Sequence, residues 1–474
     1  MKVVIVGGGG VRTPQVVNGL LAKSSKLGLD KITLLDIDNK RLESIFKVVN
    51  EIKNSYSANK KVDINYTTDS KKAFEEADLI LFTIRVGNIQ SRIIDEQIPL
   101  NYGVVGQETT GPGGFAMAMR TIPVILDYME LVAEVAPDAW VLNLTNPAGL
   151  ITQALNDAGY EKIIGICDSP SGLTEDIAEA LELPHSELWF EYFGLNHLGW
   201  IKKIKHKNKD ITKKVFADDR ALQRHGEAMI SPDFIRRLDL IPNEYLLFYY
   251  QNTKVVNKVN DSGLSRAQLI NSLNEILFNK LENLDSDSEI DALTQYQRYI
   301  ESRHGSYMQI ETSGFAKENI AEKLWNESAK EITDGSYIID QEPGGYAAIA
   351  LSVIKGIRGL EPTTMILNIK NEGAISCLEE DDVVEIPCYV NGSGIHGITI
   401  GEVPEQAKGL LQAVKSFERL TIQASKDKSY NKALQALTIH PLVPDAVTAQ
   451  KILDDYLAEH GDYFPDLKLS LIHI

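Results

Sequence analysis

Cysteine is scarce in this sequence: the 474 residues include three, Cys167, Cys377 and Cys388. Three cysteines are too few, and an odd number, for a disulfide framework. We therefore expect a protein of a reducing compartment, the cytoplasm. Long uncharged hydrophobic runs are missing as well. The first apolar run, residues 3–6, ends at a glycine turn and is too short for a secretory signal or a membrane span. We therefore predict no membrane association.

A basic stretch is also missing. Lysine and arginine number 48 against 66 acidic residues, which gives a net charge of −18. Such a chain repels phosphodiester backbones, so a nucleic-acid partner is not expected. Hydrophobic residues make up 43% and charged residues 24% of the chain, as in ordinary globular proteins. The length is about three times a typical ~150-residue domain, which predicts two or three packed units.

The first third of the chain alternates apolar strands with helix-patterned segments. Continuously apolar strands of this kind indicate a parallel sheet that is covered by helices on both faces. The strands are predicted at residues 2–6, 31–36, 79–84, 140–143 and 163–166. We therefore predict an α/β fold with an N-terminal, Rossmann-like, doubly wound parallel sheet over residues 1–170.

The pattern loosens beyond residue 170. Long helical stretches and isolated strand-like pieces, such as DVVEIPCYV, indicate a mixed α+β domain over residues 171–474. Helices are predicted at residues 264–282, 313–331, 405–426 and 443–459. The acidic segment 284–291 is expected to be a surface loop, and residues 466–474 an irregular tail.

A glycine turn follows the first strand. Gly7, Gly8, Gly9 and Gly10 satisfy the start of a G-x-G-x-x-G fingerprint, with Arg12 in the place of the third glycine. Residues without side chains let a pyrophosphate approach backbone N–H groups and a helix N-terminus. Asp36, at the end of the second strand, would accept the ribose hydroxyls and repel a 2′-phosphate, which favours NAD over NADP. Tight packing of strand on helix is the alternative explanation.

Asparagines flank another strand end, in the sequence Asn143-Leu-Thr-Asn146-Pro. In a parallel sheet, ligands collect outside the carboxyl ends of the strands, so Asn146 is a candidate for contact with both cofactor and substrate. A turn initiated by Asn-Pro is the structural alternative.

Cys167 and His197 also follow apolar strands. Their spacing is not that of a zinc finger, and one thiolate with one imidazole fills only part of a coordination sphere. The pair is therefore a candidate metal site with open positions for water or substrate hydroxyls, or two buried structural residues.

Several motifs together resemble glycoside hydrolase family 4. They are GGGG-VRTP, RVGNIQSRIIDEQIPLNYGVVGQETTGPGG, NLTNPAG, CDSP, GLNHLGW, IPNEYLLFYY, NEGAI, SFERL and HPLVP. The resemblance implies a fold like that of lactate and malate dehydrogenases, NAD, and a divalent metal, usually manganese. It also implies glycoside cleavage by oxidation at carbon 3, proton loss at carbon 2, elimination, water addition and re-reduction, outside the usual two-carboxylate scheme.

The resemblance assigns roles to individual residues. Cys167 and His197 would be the metal ligands and Tyr245 the base at carbon 2, whereas without the family match Tyr245 is better explained as a core aromatic. Asp168 is our candidate for the leaving-group acid or for a hydrogen bond beside the metal. The remaining substrate contacts implied are Arg92, Glu108 and Asn146 for sugar or metal, and Arg266 for a phosphate.

The chain also departs from the family pattern. Arg12 stands where an aromatic residue is common and serines that follow the glycines are missing, so a uronic acid or an unphosphorylated sugar stays an alternative to a 6-phosphoglucoside. The Cys167-Asp168 pair does not separate α- from β-specific enzymes. Residues 290–335, including His304, Tyr307 and Glu311, are an extra stretch that suits a lid or a subunit contact. A hydroxy-acid dehydrogenase is the other alternative, and a homodimer or homotetramer is expected.

Overall fold

The computed structural model describes residues 1–56, 61–223, 229–284, 288, 290–312, 319–335, 339 and 344–468. Its strands are β1 Lys2–Val6, β2 Lys31–Leu35, β3 Asp63–Thr67, β4 Leu79–Phe82, β5 Trp140–Asn143, β6 Ile163–Gly165, β7 Leu188–Leu195, β8 Leu198–His206, β9 Lys209–Asp210, β10 Ile241–Pro242, β11 Thr363–Lys370, β12 Val383–Asn391 and β13 Gly394–Gly397.

The helices of the first half are α1 Thr13–Ala22, α2 Ser24–Leu27, α3 Asn39–Ser55, α4 Ser70–Phe74, α5 Asn88–Asn101, α6 Pro112–Val135, α7 Ala148–Asp157, α8 Ser169–Ala180, α9 Thr212–Ala217, α10 Asp219–Leu222 and α11 Pro232–Leu238. Those of the second half are α12 Leu246–Tyr250, α13 Asn252–Ser262, α14 Arg266–Glu282, α15 Ala292–His304, α16 Gln309–Thr312, α17 Ile320–Glu331, α18 Gly345–Ile357, α19 Glu405–Asp427, α20 Tyr430–Ile439 and α21 Ala446–His460.

Six parallel strands form the centre of the molecule. Their order is β3-β2-β1-β4-β5-β6, with every neighbouring pair parallel. This is the order of a doubly wound dinucleotide-binding sheet, in which the strand order reverses between β1 and β4. The predicted Rossmann-like sheet is confirmed.

The later strands extend this same sheet. β11 pairs antiparallel with β6, and β12 and β13 continue outward to give nine strands in all. A second, antiparallel sheet contains β7, β8, β9 and β10. Because strands from both sides of residue 170 share one sheet, the domain division at that residue stays a prediction.

The glycine turn after β1 leaves no room for side chains. Gly7 has a φ of +86°, and a Cβ built on it would lie 2.5 Å from the carbonyl oxygen of Thr83. A Cβ on Gly8 would lie 2.7 Å from the Leu34 side chain. The chain then enters α1 with Pro14 in the first turn, where proline costs no hydrogen bond.

The predicted helices of the second half are largely confirmed. α14, α19 and α21 coincide with three of the predicted stretches to within three residues. The fourth contains α17, and its residues 313–318 lie outside the described part of the chain. Residues 285–287 and 289 of the predicted loop, and residues 469–474 of the predicted tail, also lie outside it.

Helix α5 is tied to the rest of the fold by a buried ion pair. Both guanidinium NH groups of Arg120 donate to the carboxylate of Asp95 at 2.6 Å, and His460 Nε2 lies 2.9 Å from the same carboxylate. All three side chains are fully buried. Removing one partner of such a pair costs about 3–5 kcal/mol, so this contact fixes the helix that carries Arg92. Among the described helices, none is both long and apolar enough to span a bilayer.

Candidate active site

A cavity of about 1450 Å³ opens beside the carboxyl ends of β5 and β6. Ligands of doubly wound sheets bind at this edge. Residues from distant parts of the chain meet in its wall. Those that the sequence predicted are Arg92, Glu108, Asn146, Asp168, Tyr245 and Arg266.

His197 lies at the tip of the hairpin between β7 and β8. It has a φ of +64°, a left-handed conformation that is uncommon outside glycine but enriched in histidine. The ring is stacked on that of Tyr245, with centroids 3.6 Å apart and an interplanar angle of 6°. Its Nδ1 lies 2.6 Å from the Thr109 hydroxyl, whereas its Nε2 is buried and has no hydrogen-bond partner among the described residues. Burial lowers the pKa of His197 to about 3, so the ring is neutral.

Cys167 lies two positions after the end of β6 and is buried. Burial, with the charges of Glu385 and Asp168, raises the pKa of its thiol well above the ordinary value. Tyr245 interacts electrostatically with this sulfur and stacks on His197, so the two candidate ligands share a neighbour. A buried thiol among carboxylates ionises only when a cation compensates it.

These two side chains fit a divalent metal. The unpartnered Nε2 of His197 has the lone pair that a metal ligand needs, and thiolate and imidazole together bind first-row ions. Within the described ranges no group of three or more Cys, His, Asp or Glu side chains could hold an ion. Cys167 and His197 would therefore leave coordination positions for oxygen atoms of a substrate or water.

Tyr245 immediately precedes α12 and borders the cavity. Burial raises the pKa of its phenol well above the usual value, and the neighbouring Tyr307 and Glu244 raise it further. The side chain is therefore a protonated phenol unless a cation lies close by. Its place in the cavity wall, above the His197 ring, distinguishes it from core aromatics such as Phe193, which is buried away from the cavity.

The glycine turn fits a dinucleotide. Gly9 donates its N–H to Asp36 Oδ2 at 3.0 Å, and the other oxygen of Asp36 accepts the N–H of Asp38 at 3.2 Å. These bonds hold the carboxylate at the end of β2 beside the turn. The N-terminus of α1 carries no side-chain cap, which suits a pyrophosphate. The roles of Gly7, Gly8, Gly9, Gly10 and Asp36 in cofactor binding stay predictions.

A cluster of arginines surrounds Glu108. Its carboxylate lies 2.6 Å from Arg85 and 3.1 Å from Arg92, and Arg12 is a third cationic neighbour. Burial opposes ionisation, but these guanidiniums hold the pKa of Glu108 below its ordinary value. Arg12 itself lies over the ring of Tyr346 at 4.4 Å, in the wall of the cavity. Three arginines are therefore gathered around one carboxylate beside the cavity.

Arg266 borders the same cavity at the start of α14. One of its NH groups donates to the carbonyl and to the hydroxyl of Ser306, both at 2.7 Å, and the other donates to the carbonyl of Arg303 at 3.2 Å. Burial lowers its pKa to about 10. The guanidinium is therefore oriented by the chain segment that follows α15.

The two asparagines near β5 differ in their surroundings. Asn143 is fully buried, and its amide donates to the carbonyls of Thr145 and Ala148 at 3.3 and 3.2 Å. Asn146 borders the cavity and is joined to Pro147 by a cis peptide bond. The first asparagine shapes the turn and the second faces the ligand space. Asp168 also borders the cavity, and its carboxylate is electrostatically coupled to Arg12.

Several cavity residues could not be assigned from the sequence. They are Gln107, Glu244, Arg303, His304, Tyr307, Glu311 and Tyr346. Residues 303–311 belong to the extra stretch 290–335, and α15 and α16 bring them to the cavity wall. Glu244 accepts hydrogen bonds from Ser169 at 2.8 Å and from Tyr307 at 3.3 Å, which joins this segment to α8. The sequence signal that could have indicated a role for His304, Tyr307 and Glu311 is the number of polar residues in this extra stretch.

A buried carboxyl lies behind the candidate ligands. Glu385 on β12 accepts hydrogen bonds from Tyr192 at 2.7 Å, Asn368 at 2.9 Å and Asn196 at 3.2 Å. Asn196 precedes His197 and accepts the N–H of Ala148 at 3.1 Å. The network therefore connects the hairpin tip to the turn after β5. Burial raises the pKa of Glu385 to about 7.

This pKa predicts a pH dependence of stability. The folded state holds the Glu385 proton more tightly than the unfolded chain does, so the free energy of unfolding should fall as pH rises from about 4.5 to about 7. The change is about 3 kcal/mol at 1.36 kcal/mol per pKa unit. In Glu385→Gln this part of the pH dependence should vanish, as measured by urea unfolding at several pH values. Glu380→Gln, at an exposed turn, is the matched control and should keep the wild-type slope.

Comparison with protein families decides the classification. A model described as family 4 glycosyl hydrolase matches residues 2–183, and one described as the family 4 glycosyl hydrolase C-terminal domain matches residues 192–443. The chain belongs to glycosyl hydrolase family 4. The resemblance inferred from the motifs is thereby confirmed, and with it a glycosidase.

Relatives of this family 4 chain align along almost its whole length. The 6-phospho-beta-glucosidase of Thermotoga maritima is 32% identical over 465 residues, which cover 98% of this chain and 99% of that protein. The maltose-6′-phosphate glucosidase of Bacillus subtilis is 31% identical over 491 residues, 99% of this chain and 98% of that protein. A crystal structure of the Thermotoga enzyme with manganese, NAD⁺ and glucose-6-phosphate matches with a TM-score of 0.78 at 30% identity, over 98% of this chain and 99% of that one.

A lactate dehydrogenase from a deep-sea metagenome shares the fold alone. It matches 90% of this chain and 98% of its own at 14% identity, with a TM-score of 0.50. The expected likeness to such dehydrogenases is confirmed at the level of architecture.

Proposed function

We propose that this family 4 chain is a 6-phosphoglucosidase that uses NAD and a divalent metal ion, Mn²⁺ first among the candidates. The observation that carries the proposal is that Tyr245, which borders the cavity together with Arg92 and Arg266, stacks on His197 and interacts electrostatically with Cys167. A phenol of raised pKa, two potential metal ligands and several arginine side chains thus lie in one region. Similar chains named as 6-phosphoglucosidases support the same substrate class.

The proposal assigns separate residues to NAD and to the metal ion. Gly7, Gly8, Gly9, Gly10 and Asp36 would hold NAD, and Cys167 and His197 would hold the ion. When bound, NAD supplies a reversible oxidant for a sugar hydroxyl and the ion supplies a Lewis acid that favours negative charge on oxygen.

Tyr245 would be the base that removes the proton from carbon 2 of the sugar. A phenol in a buried site is a base only if positive charge favours its ionised form. His197, whose ring faces that of Tyr245, would carry this charge close to the phenol as a ligand of the ion. Asp168 borders the same space and would either donate a proton to the leaving oxygen or form a hydrogen bond beside the metal.

The arginines would recognise the phosphorylated sugar. Arg266 is oriented by Ser306 and Arg303, and Arg92 by Glu96 and Glu108. Guanidiniums that are held in this way form directed bonds to an anion without loss of side-chain freedom. Asn146 and Glu108 border the same cavity and would contact sugar hydroxyls.

Removal of cofactor and metal tests the proposal. Purified protein that has been stripped of both should cleave no p-nitrophenyl 6-phosphoglucoside, and addition of NAD with Mn²⁺ should restore cleavage. Unphosphorylated glucosides and a glucuronide are the matched controls and should be poor substrates. α- and β-linked forms of each compound would assign the anomer.

Three results would contradict the proposal. Cleavage that persists without NAD would exclude a redox route, since the sugar could not be oxidised. NADH that accumulates in proportion to product would instead identify a net dehydrogenase, the alternative left open by the sequence. Equal or better cleavage of the glucuronide would reassign the arginines to a uronic acid. A homodimer or homotetramer and a cytoplasmic location stay predictions.

A further inference from the structure

The loop before α6 contains a side-chain amide with a fixed orientation. Gln107 Oε1 lies 2.7 Å from the backbone N–H of Thr109 and 2.7 Å from that of Thr110. A backbone N–H can only donate, so the atom that faces both groups must be the amide oxygen and not the amide nitrogen. The Gln107 side chain therefore presents an acceptor at this point.

The hydroxyl of Thr109 lies between this oxygen and His197. Its Oγ1 is 2.8 Å from Gln107 Oε1 and 2.6 Å from His197 Nδ1. A hydroxyl has one proton, and the amide oxygen can only accept, so the Thr109 proton belongs in the bond to Gln107. The opposite choice would bring two oxygens to 2.8 Å with no proton between them.

The nitrogen Nδ1 of His197 must then be the donor in its own bond to Thr109. In a neutral imidazole only one nitrogen carries a proton, so Nε2 has a free lone pair. Nε2 is also the ring atom that is buried without a hydrogen-bond partner among the described residues. The stack on Tyr245 fixes the plane of the ring and hence the direction of that lone pair.

We propose that Gln107 and Thr109 are positioning residues that fix the tautomer of His197, so that Nε2 is ready to bind a divalent cation. The identity of the cation as a catalytic ion rests on the proposed function, whereas the tautomer follows from the hydrogen bonds alone. Gln107 and Thr109 both belong to the GQETTGPGG segment, and Thr109 lies 88 positions before His197 in the sequence. Hydrogen-bond partners of this kind change metal affinity by about 10- to 100-fold when they are removed from ligating histidines.

Mn²⁺ binding to variants tests the proposal directly. With NAD present, free Mn²⁺ is measured by electron paramagnetic resonance during titration of the full chain. Thr109→Val removes the hydroxyl at nearly constant volume and should weaken binding about 10- to 100-fold. Thr109→Ser keeps the hydroxyl and should bind within about threefold of the wild type, a rescue that merely filling the space would not produce.

The neighbouring Thr110 provides a matched control. Its hydroxyl is buried in the same loop and has no hydrogen-bond partner in the described part of the chain. Thr110→Val removes the same group without breaking the connection to His197, so the affinity should not change. Equal losses in Thr109→Val and Thr110→Val, or no loss in Thr109→Val, would overturn the proposal.

The tautomer can also be observed in the wild-type protein without metal, so this measurement does not depend on the folding of the Thr109 variants. In protein with ¹⁵N-labelled histidine, the His197 signals are assigned by their loss in His197→Gln. We expect a pyrrole-type nitrogen at Nδ1 and a pyridine-type nitrogen at Nε2, and the reverse pattern would contradict the proposal. If wild-type protein shows the expected tautomer but binds no Mn²⁺, the proposed function fails while the positioning role stands.

Discussion

Tyr245→Phe should lower kcat by about 10²- to 10⁴-fold, the usual contribution of a positioned general base. The substitution removes one oxygen and keeps the aromatic ring, so the stack on His197 and the shape of the cavity wall should be preserved. NAD and Mn²⁺ affinities should therefore change little. Exchange of a carbon 2 deuterium with water, followed by mass spectrometry, should fall together with kcat.

Tyr249 provides the control for this substitution. It lies four positions further along, on α12, and does not border the cavity. Burial raises the pKa of both phenols, so Tyr249→Phe makes the same chemical change in a similar environment. Its activity should stay within about threefold of the wild type. Retention of more than a tenth of the activity in Tyr245→Phe would exclude the phenol as the base.

The central sheet could be predicted because its strands are short, continuously apolar and separated by helices. Residues 2–6 and 79–84 show the pattern clearly, since both faces of a parallel sheet are buried. The extension of that sheet by β11 and β12 could not be predicted. Nothing near residue 368 indicates that its strand would pair with Gly165, about two hundred positions earlier, because such pairing depends on the packing of the whole chain.

The parts of the candidate site that could be predicted from the sequence are those in which the residue type itself indicates the chemistry. A glycine turn, a cysteine and a histidine after strands could be found in the sequence, and the family motifs connected them. The surroundings of these residues were not predictable. The orientation of Arg266 depends on carbonyls near residue 306, and the electrostatics of Glu108 depend on Arg85 and Arg92 together. Such contacts arise only when separate segments fold against each other.

The two asparagines illustrate the same limit on a smaller scale. Asn143 and Asn146 both lie at the end of an apolar strand, and the sequence analysis selects Asn146 as the candidate for ligand contact. In the structure the two residues differ. The Asn143 amide donates hydrogen bonds to backbone carbonyls, whereas Asn146 borders the cavity. Side-chain direction at a strand end is set by the turn that follows, and the pattern of residue types does not encode it.

Replacement of either candidate metal ligand should have the second large effect. Cys167→Ser and His197→Gln should each weaken Mn²⁺ binding by more than the roughly 10- to 100-fold that loss of a ligand's hydrogen-bond partner costs. Cleavage of a 6-phosphoglucoside should fall with the bound fraction of the ion. NAD binding should persist, since neither side chain belongs to the glycine turn. Tryptophan fluorescence on titration with NAD would verify this.

Stability measurements separate loss of metal from misfolding. Mn²⁺ at one hundred times its wild-type Kd should raise the free energy of unfolding by about 2.7 kcal/mol, provided that the unfolded chain does not bind it. The increment should disappear in Cys167→Ser and His197→Gln, while the metal-free variants keep a cooperative transition. Cys377→Ser, the same change at a half-buried cysteine outside the cavity, should keep the whole increment. If Cys167→Ser also kept it, the ion would have to be held by other side chains, and the assignment of Tyr245 as a base activated through His197 would lose its source of positive charge.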